Sequence, residues 1–546
     1  MDNNAISDFL EKIAFFLTVK GDNAFKVRAY DRAARTVKKY EIPVEKLVET
    51  GEVTTIPGVG KGIATEIEDI VKNNRSGALQ TLLQKYPETL YEIVTISGVG
   101  PKKAVFLYNE AQIESLEDLE RAARGGLLEE LKGFGRKSQA QIIQGIELKR
   151  KALEHTSIGL ALPFAWDVIQ KFKNGGFQQA CEVGELRRRT ETVRNISVLV
   201  GCNQKNIEKI DFFPYKLSQN NEGNWIVKDD EEQMQAEIIC CSPEEFAARL
   251  LLLTGSEIHV NLLQEKLTEA GIDINAEALK NEESAYGKLG LDWIPPEVRE
   301  DGTEFEEYVT GKSPKLVELS HIQGDLQMHS RFSDGIATIE DMAKKAMSLG
   351  YKYIALTDHS RSLHIAGGLQ EEDILEQHRE IDRLNIKFAG SFIILKGAEV
   401  DILSDGSLDY PDEILKKFDF VLASIHMGMR MSRDKMTQRV VKALRHPLVH
   451  CLAHPSGRLI GRRPEFDMDW GLIFEVLKEE KKAVEINAHP ARLDLNYKRC
   501  KIAGDMGIPI FINTDAHSPA QLELMEYGVY VARRGWLEKE NILNIY

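Results

Sequence analysis

The sequence predicts a multidomain protein with an all-α N-terminal region, an α+β middle and a C-terminal α/β barrel built on parallel strands. Three observations predict it. At 546 residues the chain exceeds the roughly 250–300 residues that one hydrophobic core supports. A Gly-x-Gly pattern recurs three times within residues 1–150, each time ahead of a helical periodicity. Six apolar runs in the last third each finish on a His, Asp or Glu: Tyr351 to His359, Phe392 to Glu399, Phe418 to His426, Val449 to His454, Ala483 to His489 and Ile508 to His517. Parallel strands that end this way bring their terminal side chains to one mouth of a barrel.

In the N-terminal region, apolar residues at 3.6-residue spacing predict helices over Asp8–Leu17 and Arg28–Lys39. The repeated pattern reads Ile56-Pro57-Gly58-Val59-Gly60-Lys61, then Ile96-Ser97-Gly98-Val99-Gly100-Pro101-Lys102-Lys103, then Leu131-Lys132-Gly133-Phe134-Gly135-Arg136-Lys137. Glycines let backbone amides approach an anion, the helix N-terminus adds partial positive charge, and a basic residue neutralises a phosphate. Gly58, Gly60, Lys61, Gly98, Gly100, Lys102, Gly133, Gly135 and Lys137 are therefore the expected DNA contacts of helix-hairpin-helix motifs, with structural turns as the alternative. Such contacts grip the backbone without reading sequence and weaken with salt. The expected boundaries are a helical DNA-binding domain at 1–90 and a second hairpin region at 91–150.

The middle region, 151–310, carries strand candidates at Ile196–Val200 and Gln235–Cys240 and a helix candidate at Phe246–Leu253. The polar stretch from Glu300 to Lys315 contains Gly302, Gly311 and Pro314, and a linker is expected at 311–319. From 320 to 546 strands alternate with helices, as in a parallel α/β layout. Its first strand leads into Gly324-Asp325-Leu326-Gln327-Met328-His329-Ser330-Arg331-Phe332-Ser333-Asp334-Gly335, which adds His329 and Asp334 to the mouth. So many imidazoles and carboxylates at strand ends point to a multinuclear metal site for hydrolysis.

Bulk properties narrow the partners. A net charge of −15 argues against general adhesion to nucleic acid while leaving local patches free to act. No apolar stretch approaches 18 residues, so no membrane partner is expected. No basic-then-apolar leader is visible. The six cysteines form no Cys-x-x-Cys pair and read as reduced residues of a cytoplasmic protein, with a monomer as the default state.

With these parts in order, the chain resembles the bacterial family X DNA polymerases that carry a C-terminal polymerase and histidinol phosphatase (PHP) domain. The resemblance runs through Asp22-Asn23-Ala24-Phe25-Lys26-Val27-Arg28-Ala29-Tyr30, Gly159-Leu160-Ala161-Leu162-Pro163, Thr254-Gly255-Ser256 and Arg533-Arg534-Gly535-Trp536-Leu537-Glu538. It implies a nucleotidyltransferase-like palm and thumb at 151–310 and a distorted TIM-like PHP barrel at 320–546. It also implies DNA synthesis by the N-terminal half and metal-dependent 3′-to-5′ DNA degradation by the barrel.

The polymerase half departs from the family where chemistry occurs. The two Asp ligands on the palm strand are Asn195 and Ser197, leaving Glu237 as the third acidic position. The triphosphate-cupping Gly-Ser is Gly184-Glu185, and the Tyr-Phe pair before Thr254 is Leu252-Leu253. A Schiff-base lysine of animal relatives is Glu66, which cannot form an imine. Polymerase activity is therefore expected to be lost. Arg187-Arg188-Arg189 reads either as a DNA contact or as a solvated basic run.

The PHP ligand pattern maps onto His329, Asp334, His359, Glu399, His426, His454, Asp515 and His517. Gln327 stands at the ninth position, where the amide oxygen is a weaker donor than imidazole, so one ion should bind weakly or be absent. Two to three divalent ions are expected, Mn2+ first, with Zn2+ or Fe2+ as alternatives. Glu399 is the bridging candidate, and Glu399, His329, Asp334 and Arg458 form the expected catalytic set. Arg361, Arg458, Arg462, Arg463 and Arg492 are candidate phosphate contacts, with carboxylate pairing as the alternative for Arg462 and Arg463. His364, His378, His446 and His450 read as surface or helix positions and His489 as a neighbour of the cluster. Asp358 is expected to orient His359, and Asp401 to fall beyond the end of its strand. The implied function is a DNA-repair 3′-5′ exonuclease acting on gapped, nicked or 3′-ended DNA, with abasic-site incision as a related activity. A non-catalytic DNA scaffold, a small-molecule phosphomonoesterase and a residual polymerase are the alternatives.

Overall fold

The computed structural model describes all residues except 2, 39, 41, 97, 221–222, 231–232, 273–278 and 546. It forms two compact units, Met1–Ala152 with Gly461–Pro464, and Leu153–Ile460 with Glu465–Tyr546. In the first unit the expected helices are longer than their apolar stripes, at Asn3–Lys20 and Ala24–Lys38. Lys39 and Ser97 lie outside the described residues. The apolar face of these helices packs with Val44, Ile56, Ile67, Leu90, Leu107 and Ile142 in one core. Each Gly-x-Gly turn leads into a helix: Lys61–Asn73, Pro101–Ala111 and Arg136–Glu154. The first glycine of every turn has a positive φ, at 83° for Gly58, 97° for Gly98 and 89° for Gly133. A side chain would be strained there, which accounts for the repeat. Glu66 accepts hydrogen bonds from the Ser76 hydroxyl and from the amide of Ala78 at 3.0 Å, so its carboxylate braces the start of the next helix.

The second unit opens with a five-stranded sheet of β1 (Ala180–Glu182), β2 (Ile196–Gly201), β3 (Lys216–Gln219), β4 (Trp225–Lys228) and β5 (Gln235–Cys241), in the order β1-β2-β5-β4-β3. The helix Ile158–Asn174 packs on the sheet, and their apolar core continues into that of the barrel. The barrel sheet comprises β6 (Gly324–Asp325), β7 (Tyr353–Leu356), β8 (Ile393–Asp401), β9 (Phe420–Ser424), β10 (Cys451–Leu452), β11 (Ala483–Asn487) and β12 (Ile510–Asn513). All neighbours are parallel and follow chain order. A bridge between Met328 and Ala516, just past β6 and β12, brings the two edges together. Seven strands stand here, one fewer than in a regular TIM barrel.

Two expectations are corrected in this unit. The 311–319 stretch is packed, with Leu316 and Val317 buried and the Val317 amide donating to Leu537 O at 2.9 Å. Its polar composition concealed two apolar anchors. The arginines 187–189 are neither DNA-facing nor solvated. Arg187 donates to Glu282 at 2.6 and 2.8 Å, and Arg299 reaches the same carboxylate at 2.7 Å. Arg188 and Arg534 share Glu300 Oε1 at 3.2 and 2.9 Å, while Arg189 pairs with Glu182 at 2.8 Å. A buried guanidinium requires a carboxylate, and this basic run is placed where three are available.

Burial alone would raise the Glu282 pKa, but the Arg187 and Arg299 guanidiniums overcome it and bring it from 4.5 to about 2. The carboxylate therefore stabilises the fold fully above pH 4.5, and that contribution is lost as pH falls toward 2. Glu282→Gln leaves two buried arginines without a counter-charge and is expected to cost about 3–5 kcal/mol. The measurement is an earlier urea transition at pH 7, with a deficit that shrinks between pH 4.5 and 2.

Candidate metal centre

The metal-ligand types gather at the C-terminal ends of the barrel strands. His329 and Asp334 come from the loop after β6, His359 follows β7, Glu399 lies near the end of β8, and His426 follows β9. His454, Asp515 and His517 follow β10 and β12. His359 and Glu399 are laterally paired by a parallel bridge, so neighbouring strands place them side by side. Gly335 is required in the first loop, because a Cβ there would lie 2.4 Å from His329 O. His454 and Asp515 have φ values of 26° and 56°, uncommon for residues with a Cβ and often found at functional sites.

Three overlapping groups result, each with donor atoms within 4.8 Å of one another: His329, Asp334, His359 and His517; His359, Glu399 and His426; and His329, Glu399 and Asp515. Glu399 joins them. Its Oε1 lies 2.7 Å from His454 Nε2 and 3.4 Å from His426 Nε2, while Oε2 lies 3.1 Å from His359 Nδ1 and 3.5 Å from His329 Nε2. His329 Nε2 also meets Asp515 Oδ1 at 3.0 Å. Asp334 Oδ1 stands 3.4 Å from His359 Nε2 and 3.3 Å from His517 Nε2.

Burial would raise the Glu399 carboxyl, but the imidazoles of His426, His359 and His454 hold it well below the ordinary range. Although Oε2 is buried, it makes no hydrogen bond of good geometry despite the nearby ring nitrogens. Lone-pair atoms that converge without donated protons are the arrangement divalent cations satisfy, so these residues fit resident metal ions.

Several supporting residues differ from expectation. Strand β8 runs through Asp401, whose Oδ1 lies 3.1 Å from His426 Nδ1, so this carboxylate orients the ligand. Asp358 accepts from the Ser330 amide at 2.8 Å, from the hydroxyls of Ser330 and Ser333, and from Gln377 at 2.6 Å. It pins the loop that carries Asp334 instead of orienting His359. Arg458 is turned away from the cluster: its guanidinium donates to Glu191 at 2.7 Å, to Arg492 O at 2.8 Å and to Leu493 O. Arg361 lies 3.6 Å from Asp409, and Arg462 and Arg463 group with the N-terminal unit. Arg492 touches a ligand, with Nε 3.5 Å from Asp515 Oδ2. His364, His378, His446, His450 and His489 belong to none of the three groups.

Gln327 is fully buried, and with its amide nitrogen facing the carboxylate it donates to both oxygens of Glu485, at 2.8 Å to Oε2. Sequence reasoning missed Glu485. It also receives the His454 amide and Asn513 Nδ2, each at 2.7 Å. Burial pushes its carboxyl well above the ordinary range.

In the five-stranded sheet, Ser197 pairs with Glu237 across β2 and β5. Glu237 Oε1 accepts from Asn224 at 2.8 Å, and Glu185 Oε2 accepts from the Arg194 amide at 2.8 Å. Asn195 precedes β2, and Gly184 opens the turn Gly184–Arg187.

A barrel of parallel strands with this donor set at its C-terminal mouth defines a metal-dependent phosphoesterase domain. Residues 325–489 match the model of the PHP domain, 1–76 that of a helix-hairpin-helix domain, and 90–149 that of a SAM-like helix-hairpin-helix tandem. The chain is 34% identical over 563 aligned positions to the DNA polymerase/3′-5′ exonuclease PolX of Bacillus subtilis (strain 168), covering 100% of this chain and 97% of the relative. It belongs to the bacterial family X polymerase group that carries a PHP domain. A probable phosphatase of Thermoanaerobacter sp. (strain X514) is 29% identical over 38% of this chain and 84% of its own length. A probable phosphatase of Acetivibrio thermocellus is 32% identical over 28% of this chain and 59% of its own length.

Outer partners of metal-ligating imidazoles are typically worth about 10–100-fold in metal affinity. Asp401→Asn is accordingly expected to weaken the ion held by His426 by that factor, read by titrating chelator-stripped protein with Mn2+.

Proposed function

We propose that this protein is a DNA-repair 3′-5′ exonuclease whose barrel hydrolyses phosphodiesters and whose palm no longer synthesises DNA. The gathering of eight imidazole and carboxylate donors, the fully buried Glu399 among them, at one mouth of the barrel carries the reading. Bound divalent ions, Mn2+ first and two tightly held, would supply Lewis-acid charge and a more acidic water. His359, His426, His454 and Glu399 would hold one side of the site, and His329, Asp334 and His517 the other. Asp401 would keep the His426 ring in place, and the Asp358 clamp would keep Asp334 from drifting.

The N-terminal hairpins, with Lys61, Lys102 and Lys137 beside their glycines, would hold gapped, nicked or 3′-ended DNA through its backbone. Loss of polymerase activity is supported by Asn195 and Ser197 in place of carboxylates and by Glu237 being tied to Asn224. Two divalent ions aligned for nucleotidyl transfer would have almost nothing to bind. The protein would act as a monomer in the cytoplasm, with incision at abasic sites a related use of the same chemistry. The phosphatase relatives that match the barrel alone favour a second reading, phosphomonoester hydrolysis on a small molecule. The hairpin regions speak for DNA.

The deciding experiment is mononucleotide release from 3′-labelled gapped DNA in Mn2+, with a small phosphate ester as the control substrate. Release from DNA that Glu399→Gln abolishes is expected, together with no primer extension. Hydrolysis of the ester alone, or extension in the same buffer, would refute the reading.

A further inference from the structure

The donor group of His329, Glu399 and Asp515 is set apart by a fixed cation beside it. Arg492, in the loop after β11, has a side chain only 19% exposed and lies 3.5 Å from Asp515 Oδ2 through Nε. Asn487 Nδ2 donates to the same oxygen at 3.1 Å, while Oδ1 faces His329. Among the described residues, the terminal nitrogens of Arg492 make no hydrogen bond. The backbone carbonyl of Arg492 is held by Arg458, which fixes the start of the side chain. The remaining donor position, Gln327, is turned to Glu485. This subsite thus has one imidazole, an amide at position 327 turned away and a positive charge beside it, while the other two groups have imidazole-rich sets.

A divalent ion placed there would share Asp515 with a guanidinium in a buried setting, where like charges interact strongly. A guanidinium is also shaped to grip phosphate oxygens through paired N–H groups. We infer that Arg492 takes over the charge role of one cation: it occupies Asp515, keeps a third divalent ion out, and presents its terminal nitrogens to a non-bridging oxygen of the substrate phosphate. The inference rests on the phosphodiesterase reading and assigns that site its ion count and a phosphate-binding side chain.

The test titrates the chelator-stripped full chain with Mn2+ alone, by equilibrium dialysis and metal analysis, for wild type, Gln327→His, Gln327→His/Arg492→Gln and Gln327→His/Arg492→Lys. Thermal melting checks that each is folded. Wild type is expected to hold two ions. Gln327→His should add a weak third, and the added Arg492→Gln should tighten it at least about tenfold, whereas lysine should not. Calorimetry with inorganic phosphate on two-ion protein should show about tenfold weaker binding for Arg492→Gln and a smaller loss for Arg492→Lys. Three tight ions in wild type, equal third-ion affinity with and without Arg492, or unchanged phosphate binding would each overturn the inference while leaving the phosphodiesterase reading standing. No bound Mn2+ in wild type would bring down both.

Discussion

A carboxylate with no exposure to water and no well-formed hydrogen bond on one oxygen is the constraint around which this barrel is organised. Burying an ionised carboxylate is costly unless positive charge or donated protons compensate it. Glu399 stays ionised because three imidazoles stand against it, and those imidazoles come from the ends of β7, β9 and β10. Each of these three imidazoles is placed by a different strand, so sheet register determines how they meet the carboxylate. Local devices then remove the remaining freedom: Asp401 against His426, Asp358 across Ser330 and Ser333, and left-handed backbone at His454 and Asp515.

The opposite treatment of charge explains the palm. A site for nucleotidyl transfer must keep carboxylates accessible to metal and triphosphate. In this sheet Asn195 and Ser197 are neutral, Glu237 is satisfied by an amide, and the neighbouring arginines are consumed by Glu282, Glu300 and Glu182. Further pairs tie the same region to the barrel, Arg533 to Glu297, Arg534 to Glu300 and Arg458 to Glu191. Buried ion pairs contribute little net stability compared with apolar packing but penalise any arrangement that separates them. They fix the relation of sheet and barrel within this unit.

Much of the site was legible because strand geometry leaves a period of two in the sequence. Asp325, Gln327 and His329 alternate with Leu326 and Met328, and Asn513, Asp515 and His517 alternate with Thr514 and Ala516. The same alternation in Glu485-Ile486-Asn487 would have revealed Glu485, which was passed over because an acid inside an apolar run does not end it. Glu399-Val400-Asp401 carried the signal for Asp401 as well. Partner choice was less legible. Nothing local in Arg187-Arg188-Arg189 or in Arg458 indicates which carboxylate each will meet, and an arginine near a ligand in sequence can point away in space. The linker misled for a related reason, since Leu316 and Val317 are two anchors in a polar context.

The two buried glutamates of the barrel show how one pocket separates roles. Glu399 and Glu485 are both fully withdrawn from water, yet their carboxyls are driven in opposite directions. Imidazoles surround the first and hold it ionised. The second meets only amides, from Gln327, Asn513 and the His454 backbone, and burial prevails. Paired carboxyls pushed apart by their surroundings mark a division of labour. Here the partner facing the imidazoles belongs to two of the donor groups, while the other, its carboxyl pushed up by burial, shapes the wall behind them. An imidazole at position 327 would place a strong donor between those environments. Glutamine instead extends the amide network around Glu485, so position 327 completes a packed wall.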